Sequence, residues 1–292
     1  MRLITFTESG TTRIGILDGE SVVDLSAANP DLPREMVAFL EAGDSAMDAA
    51  RSALETGSSR LALADIHLES PILRPPKILA VGLNYADHVA EAGMETPKHP
   101  MIFNKQSTSA HPPNEPFHLP RASPALDYEG ELAVVIGKRC RHVPKERAYE
   151  VVAGYTICND VSVRDWQLRV PTFTMGKSWD THCPLGPAIV SADEVPDPHS
   201  LDVRTWVNGE LRQSSNTKHL IFNIPSLIEH LSTAFTLEPG DVIPTGTPSG
   251  VGVVMKPPKF LQAGDVVKIA ISGLGELENG VIEEPADTVR IG

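Results

Sequence analysis

Short runs in which apolar and polar residues alternate with a period of two fill most of this chain, and turn residues separate them. Arg2-Leu3-Ile4-Thr5-Phe6, Arg13-Ile14-Gly15-Ile16-Leu17 and Val22-Val23-Asp24-Leu25 read as three strands, with turns at Glu8-Ser9-Gly10 and Asp18-Gly19-Glu20. From Pro33 to about Thr56 the period lengthens to that of a helix, through Met36, Val37, Leu40, Ala49, Ala50 and Leu54, in two segments split at Gly43. The run Pro71-Ile72-Leu73-Arg74-Pro75-Pro76 reads as a linker. Residues 1–70 are therefore expected to form a small N-terminal α/β domain and residues 71–292 the main one. Beyond the linker the pattern predicts a buried strand over 77–82, a short helix over 83–93 ending at Gly93, and a helix near 146–151. It further predicts a strand over 154–160, a hairpin at Asn208-Gly209 and a helix over about 225–234. Two similar turns, at Gly240-Asp241 and Gly264-Asp265, each launch a strand, and the sum is an α+β fold.

One run breaks the simple pattern. In Asp127-Tyr128-Glu129-Gly130-Glu131 carboxylates stand at every second position, and Leu132-Ala133-Val134-Val135-Ile136-Gly137 continues as a buried strand. Alternation puts Tyr128, Leu132, Val134 and Ile136 on one face and Asp127, Glu129 and Glu131 on the other. Ala133 and Val135 extend the second face, so that side is expected to be covered as well. An isolated Glu-x-Glu is usually a solvated strand edge. Carboxylates on a doubly covered strand repel each other and lose hydration, so they need a cation or a proton. Asp160 closes a strand whose alternate face carries Thr156 and Cys158, and could join Glu129 and Glu131; it could equally cap the next turn. Three carboxylates and water suit magnesium, manganese or calcium. Zinc is disfavoured, since no histidine or cysteine has ligand spacing beside them.

Composition narrows the classes. A formal charge of −13 speaks against nucleic acid and acidic membranes as partners, so an anionic substrate would need a locally positive site. Cys140, Cys158 and Cys183 lack metal-knuckle spacing and fit a reduced, cytoplasmic setting. The N-terminus turns polar too soon for a signal peptide, and no apolar run could span a bilayer. The 25 prolines, mostly between apolar runs, favour loops and strands over a helical bundle.

Three further groups carry candidate chemistry. His88 and Glu91, three apart on the short helix, share a face, as a carboxylate-oriented general base does. His-x-x-Glu is also a common surface pair; Gly82 and Gly93 bracket the segment and could let it close as a lid. Lys177, in Gly176-Lys177-Ser178-Trp179, could grip an anionic oxygen or be a plain surface charge. The small-residue loop from Thr245 to Gly252 could cradle a carboxylate on its N–H groups; it has no P-loop lysine. Trp166, Trp179 and Trp206 read as core.

In order and spacing, these segments resemble the fumarylacetoacetate hydrolase family, from about Lys77 to Glu284. The matching stretches are Val81-Gly82-Leu83-Asn84-Tyr85 through Glu91, Asp127 through Leu132, and Asn159-Asp160 through Gln167. Gly176 through Thr181 and Pro239-Gly240-Asp241 through Gly252 complete them. The resemblance implies a large mixed β-sheet rolled into a sandwich with short helices, and homodimer assembly. It implies magnesium or manganese on Glu129, Glu131 and Asp160, with Lys177, Arg164, Gln167 and Thr247 along a substrate pocket. His88 and Glu91 match the family's water-activating pair. Water is expected where some members add a fourth carboxylate. The implied activity is hydrolysis of an acylpyruvate, led by fumarylpyruvate or maleylpyruvate, to pyruvate and an acid. Oxaloacetate decarboxylation, isomerisation of a 2-oxo dioate and hydrolysis of a 2,4-dioxo-3-deoxy sugar acid are the enzymic alternatives, and a silent metal-binding scaffold the non-enzymic one.

Overall fold

The structure is a computed structural model and describes residues 1–57 and 59–287. Among the described residues a mixed sheet of twelve strands forms the backbone of the molecule. Its middle is the strand Gly130–Ile136, every residue of which is buried, paired antiparallel on one side with Val152–Asn159 and on the other with Val242–Pro244. The alternation reads as expected. Leu132, Val134 and Ile136 enter one core, with Tyr128, Tyr155 and Ile157, against a second sheet represented there by Val203, Ile269, Leu277 and Val281. Ala133 and Val135 enter another core with Leu185, Val242 and residues of the helices Met36–Glu41 and Gly43–Thr56. Each of these large apolar side chains contributes about 1.5–3 kcal/mol by leaving water.

The second sheet has five strands, in the order Glu210–Asn216, Asp202–Val207, Val266–Ile271, Gly275–Glu283 and Phe117–Leu119. Asn208-Gly209 makes the predicted hairpin, both residues with positive φ. The helix Ile224–Ala234, capped by Asn223 through the Ser226 N–H and with a proline in its first turn, adds Ile224, Leu227, Ile228 and Leu231 to the inter-sheet core.

Two sequence expectations need correction. The acidic run is not one strand: Leu126–Asp127 pairs with Ser162–Val163, and the chain breaks at Tyr128 and Glu129 before the next strand begins. Asp127 thereby leaves the row of alternating carboxylates. The predicted helix near 146–151 is the tighter 3-10 form, Lys145–Val151. The N-terminal strands extend the main sheet, Arg2 lying opposite Val190 and Leu3 opposite Ile189. Among the described residues no helix is long and apolar enough to cross a membrane.

Candidate metal centre and the cavity beside it

Register builds the centre. Gly130 lies opposite Asn159 in the antiparallel ladder, so Glu129 and Glu131 flank the position that Asp160 adjoins. The Asp160 N–H donates to the Glu129 carbonyl at 2.9 Å, and the Glu129 N–H donates to Asn159 Oδ1 at 3.1 Å. Gly130 is needed between the two glutamates: a Cβ there would lie 2.3 Å from Thr205 Oγ1 of the facing sheet. One carboxylate oxygen each of Glu129, Glu131 and Asp160 lies within 4.8 Å of the others, and the three residues are 6%, 1% and 0% exposed.

Such burial is costly without compensation. Burial, then the Asp160 and Glu129 charges, push the Glu131 carboxyl well above its ordinary range, and Gly246 N–H donates to its Oε2 at 2.8 Å. Burial would also raise Glu129, but the Lys177 ammonium and the Arg164 guanidinium outweigh it and hold that carboxyl at about 2. Lys177 Nζ donates to Glu129 Oε2 and to Asp160 Oδ2, both at 2.8 Å. Arg164 Nη1 reaches Glu129 Oε1 at 2.6 Å while its Nε donates to Asp127 Oδ2 at 2.8 Å. Behind Asp160, fully buried Lys105 pairs with Oδ1 at 2.7 Å and donates to the carbonyls of Lys177 and Val161. Counting Asp127, four carboxylates face three fixed cations, Lys105, Arg164 and Lys177. Ionised together, the four carboxylates exceed the cations by one charge, which a proton on the crowded Glu131 or a cation must offset; the all-oxygen donor set fits a hard divalent cation held by Glu129, Glu131 and Asp160.

The loop from Thr245 to Gly252 does cradle carboxylates, but those of the chain itself. Gly246 N–H serves Glu131, Gly250 N–H serves Glu91 at 3.0 and 3.1 Å, and the Gly252 and Val253 N–H groups serve Asp127 at 2.8 and 2.9 Å. Gly246, at φ +109°, must be glycine, since a Cβ would meet Asn84 Cβ at 2.8 Å. Thr247 Oγ1 donates to the Gly130 carbonyl and accepts from Gln213 Nε2.

Beside the carboxylates lies a cavity of about 210 Å³. It brings together His88, Glu129, Glu131, Arg164, Gln167, Lys177 and Thr247, residues that the sequence scattered over 160 positions. Gln167 Oε1 accepts from Arg164 Nη1 at 2.9 Å, and the buried Arg164 Nη2 has no partner among the described residues. His88 stands on the helix Ala86–Glu91, its Nδ1 3.5 Å from Glu91 Oε2. Asp160 lies at the carboxylate cluster, and Glu91 stands behind the imidazole at the Gly250 loop. At the ends of this segment Leu83 has φ +53° and Gly93 φ +64°, while Gly82 is not in the left-handed region.

Sequence reading missed Lys105, Asp127 as the partner of Arg164, and Asn84, whose amide ties the segment before the helix Ala86–Glu91 to Thr245 and Phe222. Lys105 did leave a signal: it is in phase with Met101 and Phe103 on the strand Met101–Lys105, an odd place for a surface lysine.

Comparison with known proteins identifies the family. The fumarylacetoacetate (FAA) hydrolase C-terminal family matches residues 77–282. The mitochondrial oxaloacetate tautomerase fahd2 of Xenopus laevis is 46% identical over 288 residues, 97% of this chain and 90% of that protein. Human oxaloacetate tautomerase FAHD2A is 45% identical over 267 residues, 91% and 85% of the two chains. Among solved structures, maleylpyruvate hydrolase from a Sphingobium species, in complex with manganese(II) and pyruvate, superposes with a TM-score of 0.82 at 35% identity. That match covers 98% of this chain and 100% of the other. With a match over most of its length and relatives this similar, the chain belongs to the fumarylacetoacetate hydrolase family.

Proposed function

We propose that this protein is a divalent-metal-dependent enzyme that enolises 2-oxo acids, and that its main reaction is the keto–enol tautomerisation of oxaloacetate. The observation that carries the reading is a single cavity lined by two carboxylates of a buried cluster of three, two cations and an imidazole. The similarity to oxaloacetate tautomerases over nearly the whole chain supports this choice of substrate. Glu129, Glu131 and Asp160 would hold magnesium or manganese, and the manganese and pyruvate bound to the Sphingobium enzyme support both the ion and the 2-oxo acid. When bound, the ion supplies Lewis-acid stabilisation to the oxo and carboxylate oxygens of the substrate.

The chain's own residues do the rest. Arg164 offers its unpartnered Nη2 to a substrate oxygen, and Gln167 holds the guanidinium in place. Lys177 adds fixed positive charge where negative charge develops on the 2-oxo oxygen. His88 takes a proton from C3, the C–H electron pair moves into the C2–C3 bond, and the 2-oxo oxygen takes up a proton to give the enol; the reverse sequence restores the keto acid, with Glu91 steadying the ring throughout. Thr247 keeps Gly130, and with it the two glutamates, in register.

A second reading is hydrolysis of an acylpyruvate, favoured by the His88–Glu91 pair and by cavity space that oxaloacetate does not require. There His88 deprotonates water, the hydroxide adds to C4, and the C3–C4 bond breaks with its electron pair going to C3. Protonation of C3 gives pyruvate, and the acyl group leaves as a carboxylic acid. Decarboxylation and isomerisation of 2-oxo dioates would use the same enolate. A homodimer in the cytoplasm is the accompanying proposal, though the similar tautomerases are mitochondrial by name.

The test follows the ultraviolet absorbance of enol-oxaloacetate with magnesium, and release of pyruvate from acetylpyruvate alongside it. Acceleration abolished by EDTA, and reduced about 100-fold or more in His88→Ala, is the expected result. No acceleration with either magnesium or manganese overturns the tautomerase reading. Pyruvate release untouched in His88→Ala overturns the role of His88 in hydrolysis.

A further inference from the structure

The polar groups of the cavity account for only part of its lining. The remainder is a continuous apolar wall. Phe103 lies with its ring face 5.0 Å from Lys177 Nζ and packs edge-on against Phe173 at 6.0 Å between centroids. Met101 lies against Gly82, where a Cβ would meet its sulfur at 3.2 Å, and Leu168, Met94 and Val254 continue the surface. Among the described residues lining the cavity, the positive groups are Arg164 and Lys177, with the imidazole of His88. Both cations pair with Asp127, Glu129 and Asp160, and the one guanidinium nitrogen left over, Arg164 Nη2, is the group assigned above to the 2-oxo acid head. Among the described residues, no charged side chain of either sign stands on the apolar stretch.

The apolar surface is also left uncovered. Leu168 is 70% exposed, the most of any large hydrophobic residue described, and Met94 on the lid side is 52% exposed. Both line the cavity. Leucine and methionine gain by being covered with an apolar group, and a carboxylate placed against them would lose its hydration with no partner in return.

We infer that the apolar wall formed by Phe103, Phe173, Leu168, Met94 and Val254 is a subsite for a neutral, apolar group attached beyond C4 of the substrate. The enzyme thus favours 2,4-dioxo acids with alkyl tails over 2,4-dioxo dioates of the same length. This rests on the reading of the site as one that holds a 2-oxo acid head. It concerns only what projects past C4, so the second carboxylate of oxaloacetate, one carbon from C3, remains among the polar groups. It would make fumarylpyruvate and maleylpyruvate, which were expected from the sequence and carry a distal carboxylate, poorer substrates than alkyl-tailed acylpyruvates.

The experiment compares butanoylpyruvate with succinylpyruvate, equal in length and differing in the end group, by kcat/KM with magnesium. Alongside, 2-oxohexanoate and 2-oxoadipate are titrated calorimetrically as ligands that cannot be cleaved, with pyruvate as the common head. The neutral-tailed member of each pair is expected to be favoured at least about tenfold. Leu168→Arg, a change at an exposed position, is expected to lower that ratio by about tenfold, and Val254→Lys to act in the same direction. Equal or better handling of succinylpyruvate and 2-oxoadipate by the unmodified protein overturns the subsite. If neither dioxo acid is cleaved but 2-oxohexanoate still binds tenfold more tightly, the subsite stands and hydrolysis falls. Failure of pyruvate and both 2-oxo acids to bind in the presence of metal removes the head-group reading and the subsite with it.

Discussion

Lys105 shows what a single buried charge does here. It has no access to solvent, and its ammonium neutralises Asp160 while its hydrogen bonds fix the backbone at Val161 and Lys177. Lys105→Met is expected to leave Asp160 buried and less compensated, at a cost of about 3–5 kcal/mol in urea unfolding. Added magnesium should recover part of that loss; full stability without it would refute the compensating role. His182 gives a different readout. Burial is the main cause that pushes its imidazole down to about 3, with its Nε2 2.8 Å from the His118 carbonyl. Being depressed, it stays neutral in the fold while the unfolded chain protonates near its ordinary 6.5. Its contribution to stability is therefore whole above about 6.5 and drains away as pH falls toward about 3. In His182→Gln the slope of stability against pH in that window should flatten by up to about 1.4 kcal/mol per pH unit, measured by denaturant unfolding. An unchanged slope would mean that His182 is not the group. Neither role was open to sequence reading, because both depend on which carbonyls and carboxylates the fold brings around one nitrogen.

At the scale of elements the lid is the test. A six-residue helix has no stability of its own, so Ala86–Glu91 persists through its tethers. Ser215 Oγ donates to Asp87 Oδ2 at 2.6 Å, and Gly250 N–H donates to Glu91. Ser215→Ala removes one hydrogen bond worth about 1 kcal/mol. Amide exchange across residues 86–91 should accordingly accelerate by about fivefold with little change in global stability. Unchanged exchange would show that the tether does not hold the lid. The helix itself was legible, since its apolar Val89 and the stop at Gly93 are local signals. The tethers were not, because Ser215 and Gly250 come from segments more than a hundred residues away. For the same reason the acidic run was only half legible. Its alternation correctly gave the two faces of Gly130–Ile136, while the break at Tyr128 and Glu129 follows from Asp127 being drawn to Arg164 and to the N–H groups of Gly252 and Val253.

The molecule as a whole sets the terms on which its ion is bound. With a formal charge of −13 it concentrates cations, yet it seats three carboxylates within one buried cluster and offsets them incompletely. The family and its centre were legible because motif order survives in the chain; the attachment of residues 1–70 was not, since pairing of Arg2 with Val190 leaves no mark on either segment. From the charge balance it follows that the ion-free fold carries a repulsion which the ion relieves. An ion at 100 times its dissociation constant should add about 2.7 kcal/mol, seen as a rise of several degrees in Tm that EDTA reverses. Glu131→Gln separates repulsion from simple damage. Glutamine fills the same space and can still accept from Gly246 N–H, but it removes the charge crowded by Asp160 and Glu129. Without metal, Glu131→Gln should therefore melt at or above the temperature of the unmodified protein, while with saturating magnesium it should melt below it. A variant that is less stable in both conditions would show Glu131 to be a structural residue, and a metal-induced rise that survives the substitution would place the ion elsewhere.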